Sequence, residues 1–120
     1  MTASDTSCAF CKYAGPSRVL HREIDGTFVI EPLSPVAEGH VLVISGMHTP
    51  SAASEPHMAA RVMLTAAWWV KHRVEGPANI ITSVGREATQ TVEHLHLHVV
   101  PRREGDGLAL PWTGQVTADV

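Results

Sequence analysis

The sequence predicts an α+β fold in which an antiparallel sheet packs against helices on one of its faces. Three short apolar segments typical of strands precede the only long helical pattern, and two more strand-like segments follow it. This order is typical of α+β domains, where strands and helices occur in separate runs. The 120 residues are enough for one hydrophobic core, and the chain has no internal repeat or linker. We therefore expect a single domain that spans residues 1–120.

The first half of the chain predicts a short helix and three strands. We expect a short helical turn over residues 8–14, which ends at a Gly-Pro pair. Residues 18–23 and 27–31 predict two strands joined at Asp25-Gly26, because such pairs favour tight hairpin turns. Residues 40–45 form an apolar run rich in branched side chains, which predicts a central buried strand.

One long helix is predicted after the third strand. Ser54 is expected to cap its N-terminus, and the Gly76-Pro77 pair is expected to end it. Trp68 and Trp69 point about 100° apart on a helix, so both cannot face the same core. One of them should cover another surface, either a subunit interface or, alternatively, solvent on a monomer. The predicted core-facing side consists of Ala59, Val62, Met63, Ala66, Trp69, Val70 and Arg73.

Two further strands and the termini complete the predicted architecture. Residues 79–83 predict the fourth strand. The fifth runs through residues 93–100 and should stop at Pro101, which has no amide hydrogen for a sheet ladder. Residues 1–7 are polar and expected to be flexible. Glycines and prolines predict an irregular tail over residues 105–120.

Composition and charge exclude several classes of function. Nine Lys and Arg residues against twelve Asp and Glu residues give a net charge of −3. A protein that wraps a nucleic-acid backbone needs a concentrated basic surface, so no nucleic-acid partner is expected. No apolar run approaches the roughly 18 residues of a membrane span, and the N-terminus lacks the pattern of a signal peptide. We therefore expect a cytoplasmic protein with a small-molecule partner.

The segment from Glu93 to Pro101 carries the clearest chemical signal. Three of the eight histidines alternate here with aliphatic residues, which is typical of a half-buried strand. The core-facing set would be Leu95, Leu97 and Val99, and the opposite set His94, His96 and His98. A neutral imidazole is a nucleophile at pH 7, and protonated neighbours can neutralise phosphate oxygens. The row therefore suits phosphate chemistry, the alternative being a solvated strand face without function.

This segment resembles the signature of the histidine-triad superfamily of nucleotide-binding hydrolases and transferases. The resemblance includes Gln90-Thr91-Val92 before the histidines and Pro101-Arg102 after them, and it extends upstream to residues 35–44. It covers about residues 8–112. It implies a HIT-like fold with a five-stranded antiparallel sheet, one long helix and a short N-terminal helix. It also implies a two-fold dimer that pairs through the long helix and the neighbouring strand.

The resemblance further implies roles for individual residues. His96 matches the histidine that attacks the α-phosphate and forms a nucleotidyl-histidine. His98 matches one that contacts phosphate oxygens, and Thr91 would offer its hydroxyl to the leaving oxygen. His40 matches a fourth histidine of the pocket, the alternative being a buried histidine with a purely structural role. The implied nucleotide-binding set is His40, Ser83, Gly85, Gln90, Thr91 and His98.

The chain departs from the family pattern at three positions. Ser83 stands where the family usually has Asn, and Thr89 where it usually has Gly. A β-branched residue cannot easily adopt a positive φ, so we expect this loop to follow a different path. Pro32 replaces an Asp that holds the ribose hydroxyls in many members. Glu31 is the nearest carboxylate, but it should face the other side of its strand.

Cys8 and Cys11 form half of a metal site. They would close too short a loop to staple a fold, and in a cytosolic protein their spacing suggests metal or redox chemistry. The strand-CxxC-helix setting of redox proteins is absent, and two free cysteines are the remaining alternative. The resemblance implies a structural zinc ion with His48 and His94 as the other two ligands.

Together these features predict a homodimeric hydrolase that cleaves a phosphoanhydride of a (di)nucleoside polyphosphate through an intermediate on His96. Gln90-Thr91-Val92 and the run from Pro101 to Asp106 favour this polyphosphate-cleaving branch of the family. The alternatives are a nucleoside phosphoramidase and a nucleotide-binding or adaptor protein with little turnover. The histidines outside every motif are expected at the surface: His21, His57 and His72.

Overall fold

The structure, a computed structural model, describes residues 8–12 and 18–113 of the chain. The predicted flexible segment 1–7 and the end of the predicted tail, residues 114–120, lie outside this description. The short helix α1 is Ala9–Lys12 and the long helix α2 is Pro56–Trp69. The strands are β1 Val19–Arg22, β2 Phe28–Ile30, β3 Val41–Ile44, β4 Ala78–Ile81 and β5 His96–Pro101.

The five strands form one antiparallel sheet in the order β1-β2-β3-β5-β4. The predicted α+β class, with five antiparallel strands and one long helix, is confirmed. Because β5 lies between β3 and β4, both of its edges are hydrogen-bonded. The histidine strand is therefore held rigidly inside the sheet.

The start of α2 differs from the prediction. Its N-cap is Glu55, which makes no side-chain hydrogen bond to the helix, so the prediction of Ser54 as the cap is wrong. The Ser54 amide donates to the Ser51 carbonyl, and the two hydroxyls lie 3.3 Å apart, so Ser54 belongs to the preceding turn. At its other end α2 continues into a π-helical turn, Val70–Val74, before the chain reverses at Glu75.

The buried face of α2 consists of Val62, Thr65, Ala66 and Trp69. Met63 is 43% exposed, so its assignment to the core is wrong. Trp68 stacks on the ring of His21, with 4.7 Å between ring centroids. His21 is therefore half-buried rather than a surface residue, whereas His57 and His72 are exposed as predicted. Since Trp68 has a partner within the chain, the tryptophan pair no longer argues for a subunit interface.

The sheet carries an apolar cluster on each face. On the first face, α2 packs against valines and leucines of the central strands, among them Val29, Val43 and Leu97. On the second face, Cys8 and the α1 residue Phe10 pack against Phe28, Ile30, Leu42 and Ile44. The expectation that the helices share one face is therefore wrong. Phe10 and the two cysteines face the histidine side of the sheet, so α1 covers part of that side.

The residues after β5 contain no helix or strand up to Thr113. No helix within the described ranges is long and apolar enough to cross a membrane.

Candidate active site and metal centre

Strand β5 divides its side chains between the two faces as predicted. His96 pairs with Ile44 and His98 with Leu42 across the ladder to β3. Since paired residues share a face, both imidazoles lie on the side that α1 partly covers. The alternating aliphatic residues of β5 pack in the cluster beneath α2.

His94 lies just before this strand rather than within it. The predicted strand begins three residues too early, because the Leu95 amide donates to the Thr49 carbonyl at 2.7 Å instead of joining the β3 ladder. The His94 side chain is 2% exposed, and its Nε2 donates to the Ser45 carbonyl at 2.7 Å. This leaves Nδ1 of His94 with its lone pair.

A cavity of about 390 Å³ opens beside His96 and His98. It is lined by Phe10, Val36, His40, Leu42, Ile81, Ser83, Thr89, Gln90, Thr91, Val92, His96, His98 and Val100. The structure thus brings together every predicted nucleotide-binding residue except Gly85 at one cavity. None of the lining residues in the described part of the chain is Lys, Arg, Asp or Glu.

A backbone carbonyl selects the tautomer of His96. Nδ1 of His96 lies 2.7 Å from the carbonyl oxygen of His94, which can only accept a hydrogen bond, so the proton is on Nδ1. Burial lowers the pKa of His96, although this same hydrogen bond opposes the shift. At pH 7 the ring is therefore neutral, with a lone pair on Nε2. That is the protonation state of a nucleophile.

A second chain of hydrogen bonds selects the tautomer of His98. The Val36 amide donates to Nδ1 of His40 at 3.1 Å, so His40 carries its proton on Nε2. His40 Nε2 then donates to Nδ1 of His98 at 3.0 Å, which leaves the proton of His98 on its own Nε2. His98 can therefore donate a hydrogen bond to a ligand while it is neutral.

Burial lowers the pKa of His40 and also that of His98, in the latter case to about 4, with His96 and His40 adding to the shift. These shifts favour neutral rings beside His96, contrary to the expectation of protonated neighbours. These imidazoles lie too close together, and too far from water, to share a positive charge.

The loop from Gly85 to Thr91 covers one side of the cavity. Thr89 has φ +71° and ψ +26°, the left-handed conformation that a β-branched residue does not easily adopt. The expectation that Thr89 avoids a positive φ is therefore wrong, and the loop path relative to the family stays a prediction. The Arg86 carbonyl accepts the Thr89 amide at 2.9 Å and closes the short 3₁₀ turn, so local hydrogen bonds outweigh the unfavourable φ.

The side-chain amide of Gln90 stabilises this loop by hydrogen bonds. Its Oε1 accepts the Gly85 amide at 2.9 Å, and its Nε2 donates to the Pro50 carbonyl at 2.6 Å and to the Val92 carbonyl at 3.1 Å. The side-chain amide thus connects the loop to the segment that precedes α2. Thr91 is exposed at the cavity edge.

The predicted metal ligands lie close together around His94. The ligand atoms of Cys8, Cys11, His48 and His94 all lie within 4.8 Å of one another. Nδ1 of His94 is 3.4 Å from Sγ of Cys8 and 3.2 Å from Nδ1 of His48. Sγ of Cys11 is 3.5 Å from Nδ1 of His48.

These distances fit a tetrahedral zinc ion. With Zn–N and Zn–S bonds of about 2.0–2.3 Å, the edges of a tetrahedron are roughly 3.3–3.8 Å long. The hydrogen bond from His94 Nε2 to the Ser45 carbonyl orients that ring with Nδ1 toward the cluster, as the outer partners of metal-bound histidines do. The donor set and its geometry therefore both fit the metal.

Two positions bear on recognition of the ribose, Pro32 and Glu31. Pro32 is not among the residues that line the cavity. Glu31 lines a separate cavity of about 360 Å³ together with Trp69 and Arg73, so it faces away from the histidines as predicted.

Sequence reasoning missed Phe10, whose ring lies 4.9 Å from that of His96. Its position between the two cysteines was the available signal, since a metal at those cysteines brings the intervening residue to the histidine strand. The Val36 amide was also missed, and no side-chain pattern could have indicated it.

Comparison with known proteins gives several similar sequences. An adenylylsulfatase from Arabidopsis thaliana is 32% identical over an alignment of 108 positions, which covers 84% of this chain and 55% of that protein. An adenosine 5′-monophosphoramidase from Saccharomyces cerevisiae is 30% identical over 127 residues, with coverage of 94% and 74%. A bis(5′-nucleosyl)-tetraphosphatase from Schizosaccharomyces pombe is 31% identical over 103 residues, with coverage of 81% and 56%. The chain thus spans little more than half the length of two of these relatives.

Among solved structures, a zinc-bound histidine triad family protein from Mycobacterium smegmatis is 31% identical, with a TM-score of 0.74. The match covers 87% of this chain and 81% of that one. In addition, the family model described as HIT domain matches residues 16–105. With His94, His96 and His98 at alternate positions at and just before β5, and with a matching family model and relatives of this kind, the chain belongs to the histidine-triad (HIT) family.

Proposed function

We propose that the protein hydrolyses a nucleoside 5′-phosphate derivative through a nucleotidyl intermediate on Nε2 of His96. The observation that carries this proposal is the hydrogen bond from Nδ1 of His96 to the His94 carbonyl, which leaves the lone pair on Nε2 at the cavity. Attack of Nε2 on phosphorus forms a P–N bond as the bond to the leaving group breaks. Water then cleaves the P–N bond and restores the neutral imidazole.

The neighbouring groups act by donating hydrogen bonds. The Nε2–H of His98 would bind a non-bridging phosphate oxygen, and His40 would keep that proton in place through the bond to Nδ1 of His98. The hydroxyl of Thr91 would donate to the leaving atom. Gly85 and Gln90 would shape the loop beside the phosphate, and Ser83 would complete the polar side of the cavity.

Among the branches of the family, the charge of the cavity favours substrates with one phosphoryl group. A polyphosphate brings several negative charges, and sites for such groups commonly use Lys, Arg or a metal ion. The described lining contains only neutral donors, and the pKa values of its histidines are lowered by burial. A phosphoramidate or mixed anhydride of a nucleoside monophosphate carries less charge and fits this environment better.

The residues that favoured polyphosphate cleavage in the sequence have other partners. Arg102 donates to both carboxylate oxygens of Asp106, at 2.8 and 3.0 Å, and to the side-chain carbonyl of Asn79 at 2.6 Å. This ion pair lowers the pKa of Asp106 far below its usual range. Arg103 lies 3.6 Å from Glu38 beside the separate cavity. Neither arginine lines the histidine cavity, so the polyphosphatase becomes the second candidate.

Bound zinc would have four protein ligands: Cys8, Cys11, His48 and His94. Four protein ligands leave no open position for substrate, so the ion would be structural, and it would attach α1 to the start of β5. Within the chain, His94 would then serve as a ligand and could not act as a nucleophile.

We further infer that two chains associate through α2. Met63 and Leu64 are exposed on this helix, and β4 is an edge strand whose outer side has no partner within the described sheet. Covering these groups with a second copy would remove both an apolar surface and an open strand edge from water.

A panel of adenosine substrates tests the proposed function. An adenylyl phosphoramidate, an adenylyl sulfate and diadenosine tetraphosphate would be compared at equal concentration, with each product identified by chromatography. We expect kcat/KM for the first two to exceed that for the tetraphosphate by about tenfold or more, the effect of one lost favourable ionic contact. A preference for the tetraphosphate would overturn the substrate assignment. Product formation from none of them would favour a binding protein.

A further inference from the structure

The ring of Phe10 lies against the nucleophile. Its centroid is 4.9 Å from that of His96 with the two ring planes at 77°, and 6.0 Å from that of His94. Phe10 is 6% exposed and belongs to the cluster that includes Leu42 and Ile44 beneath the histidine face. The ring is thus fixed on one side by the sheet and touches His96 with the other.

His96 requires a contact of this kind. The hydrogen bond from Nδ1 to the His94 carbonyl holds the ring at a single atom. Rotation of an imidazole about its Cβ–Cγ bond is broad and roughly two-fold, so one hydrogen bond does not fix the plane. A perpendicular ring at van der Waals distance blocks that rotation. Without it, Nε2 could turn away from the phosphate.

The position of Phe10 depends in turn on the cysteine–histidine cluster. Helix α1 has only four residues, too few to be stable alone. Cys8 and Cys11 flank Phe10, and their sulfur atoms lie 3.4 Å from Nδ1 of His94 and 3.5 Å from Nδ1 of His48. A metal ion at this cluster would therefore fix the segment that carries Phe10.

We propose that Phe10 is a positioning residue that holds His96 in its attacking orientation, and that it makes this orientation dependent on metal at the four-residue cluster. The inference rests on the proposed function, because it concerns the same nucleophile. Phe10 also lines the cavity, so a role limited to contact with the bound base is the alternative to be distinguished.

Phe10→Leu tests the first part, with Phe28→Leu as its matched control. Phe28 is buried in the same cluster as Phe10, but its ring packs against the guanidinium group of Arg22. We expect Phe10→Leu to slow single-turnover adduct formation on His96 by about ten- to a hundredfold, the effect of a misaligned reacting group. Affinity for AMP should change by less than about threefold, and Phe28→Leu should retain the wild-type rate within about threefold. A tenfold loss of AMP affinity with an unchanged rate would show base contact alone and overturn the proposal.

Metal removal tests the second part. Metal analysis should give one zinc per chain in both wild type and Phe10→Leu, which would show that the variant leaves the cluster intact. Chelation of the wild type should reproduce the loss of rate caused by Phe10→Leu, and chelation of the variant should add little. In ¹⁵N NMR of the His96 ring, the zinc-loaded wild type should show one tautomer, with the proton on Nδ1. The chelated protein and the variant should each show chemical shifts averaged between the Nδ1–H and Nε2–H tautomers.

Independent, multiplying losses from chelation and substitution would contradict this coupling. The coupling would also be contradicted if the chelated wild type kept its single tautomer and its rate of adduct formation. This outcome is measured on wild-type protein, so it does not depend on the folding of a variant. The proposed function fails separately, if wild-type protein forms no adduct on His96 at all.

Discussion

At the scale of single residues, three backbone groups assign three different tasks to one type of side chain. The Ser45 carbonyl turns Nδ1 of His94 toward the cysteines, and the His94 carbonyl leaves Nε2 of His96 free. The Val36 amide, acting through His40, leaves a proton on Nε2 of His98. The proposed metal ligand, nucleophile and hydrogen-bond donor thus follow one another at alternate positions.

The lowered pKa of His98 predicts a dependence of stability on pH. The folded protein protonates His98 only near pH 4, whereas in the unfolded chain this side chain binds a proton below about pH 6.5. Between these values the unfolded state binds more protons, so the free energy of unfolding rises with pH. The contribution of His98 to this free energy is lost as pH falls from about 6.5 to about 4.

This pH dependence can be measured by urea denaturation of wild type and His98→Asn. The variant should lose part of the slope, up to about 1.4 kcal/mol per pH unit for one group. His57→Asn, which alters an exposed histidine, serves as the control and should keep the wild-type slope. Equal slopes in wild type and His98→Asn would show that His98 does not titrate as described.

Pro32 predicts weak recognition of the ribose. No carboxylate lines the described cavity, and a site without a partner for a hydroxyl cannot reject a substrate that lacks it. The ratio of kcat/KM for ribo- over 2′-deoxyribonucleotide substrates should stay below roughly a hundredfold. A wild-type preference above that limit would mean that another group binds the sugar.

At the scale of the elements, the strands and their faces could be predicted because they follow from hydrophobic periodicity. The helix cap and the loop conformation were missed because they depend on local hydrogen bonds. Alternation over β5 and the branched run of β3 identified both strands and their faces. The cap of α2 was missed, since Ser54 hydrogen-bonds to Ser51 instead. The left-handed conformation of Thr89 was also missed, since the 3₁₀ turn overrides the preference of this residue against a positive φ.

Thr89→Gly should stabilise the protein. A left-handed conformation costs a residue with a side chain about 1–2 kcal/mol, and glycine avoids this cost. The greater freedom of glycine in the unfolded chain offsets about 0.5–1 kcal/mol of this, so we expect a net gain of up to about 1.5 kcal/mol in the free energy of unfolding. Ala88→Gly is the matched control, because Ala88 has no positive φ and should become less stable. Destabilisation by Thr89→Gly would exclude strain at this position.

At the scale of the whole molecule, the site depends on contacts that no local pattern predicts. Cys8 and His94 are 86 positions apart in sequence, yet their ligand atoms lie 3.4 Å apart. The resemblance to a family supplied this pairing, and the sequence alone supplied only the cysteine spacing. The same limit applies to the arrangement of the two helices, because alternation defines two faces for each strand but not which helix covers which face.

Association of two chains is the prediction at this scale. Light scattering at micromolar concentration should give about twice the chain mass of 12.9 kDa. The double change Met63→Glu and Leu64→Glu places charges on the exposed side of α2 and should give the monomer mass. Leu33→Glu alters an exposed leucine elsewhere and should leave the mass unchanged. A wild-type mass of a single chain would refute the dimer.

The central claim is that His96 is the nucleophile, and a direct measurement is the detection of its nucleotidyl adduct. Wild-type protein is mixed with an adenylyl phosphoramidate, quenched rapidly without acid, digested and analysed by mass spectrometry. We expect one adenylyl group on the peptide that contains His96, and none in His96→Ala, whose turnover should fall by about a thousandfold or more. His57→Ala should form the adduct as the wild type does. An adduct on another residue, or near-full activity of His96→Ala, would contradict the account.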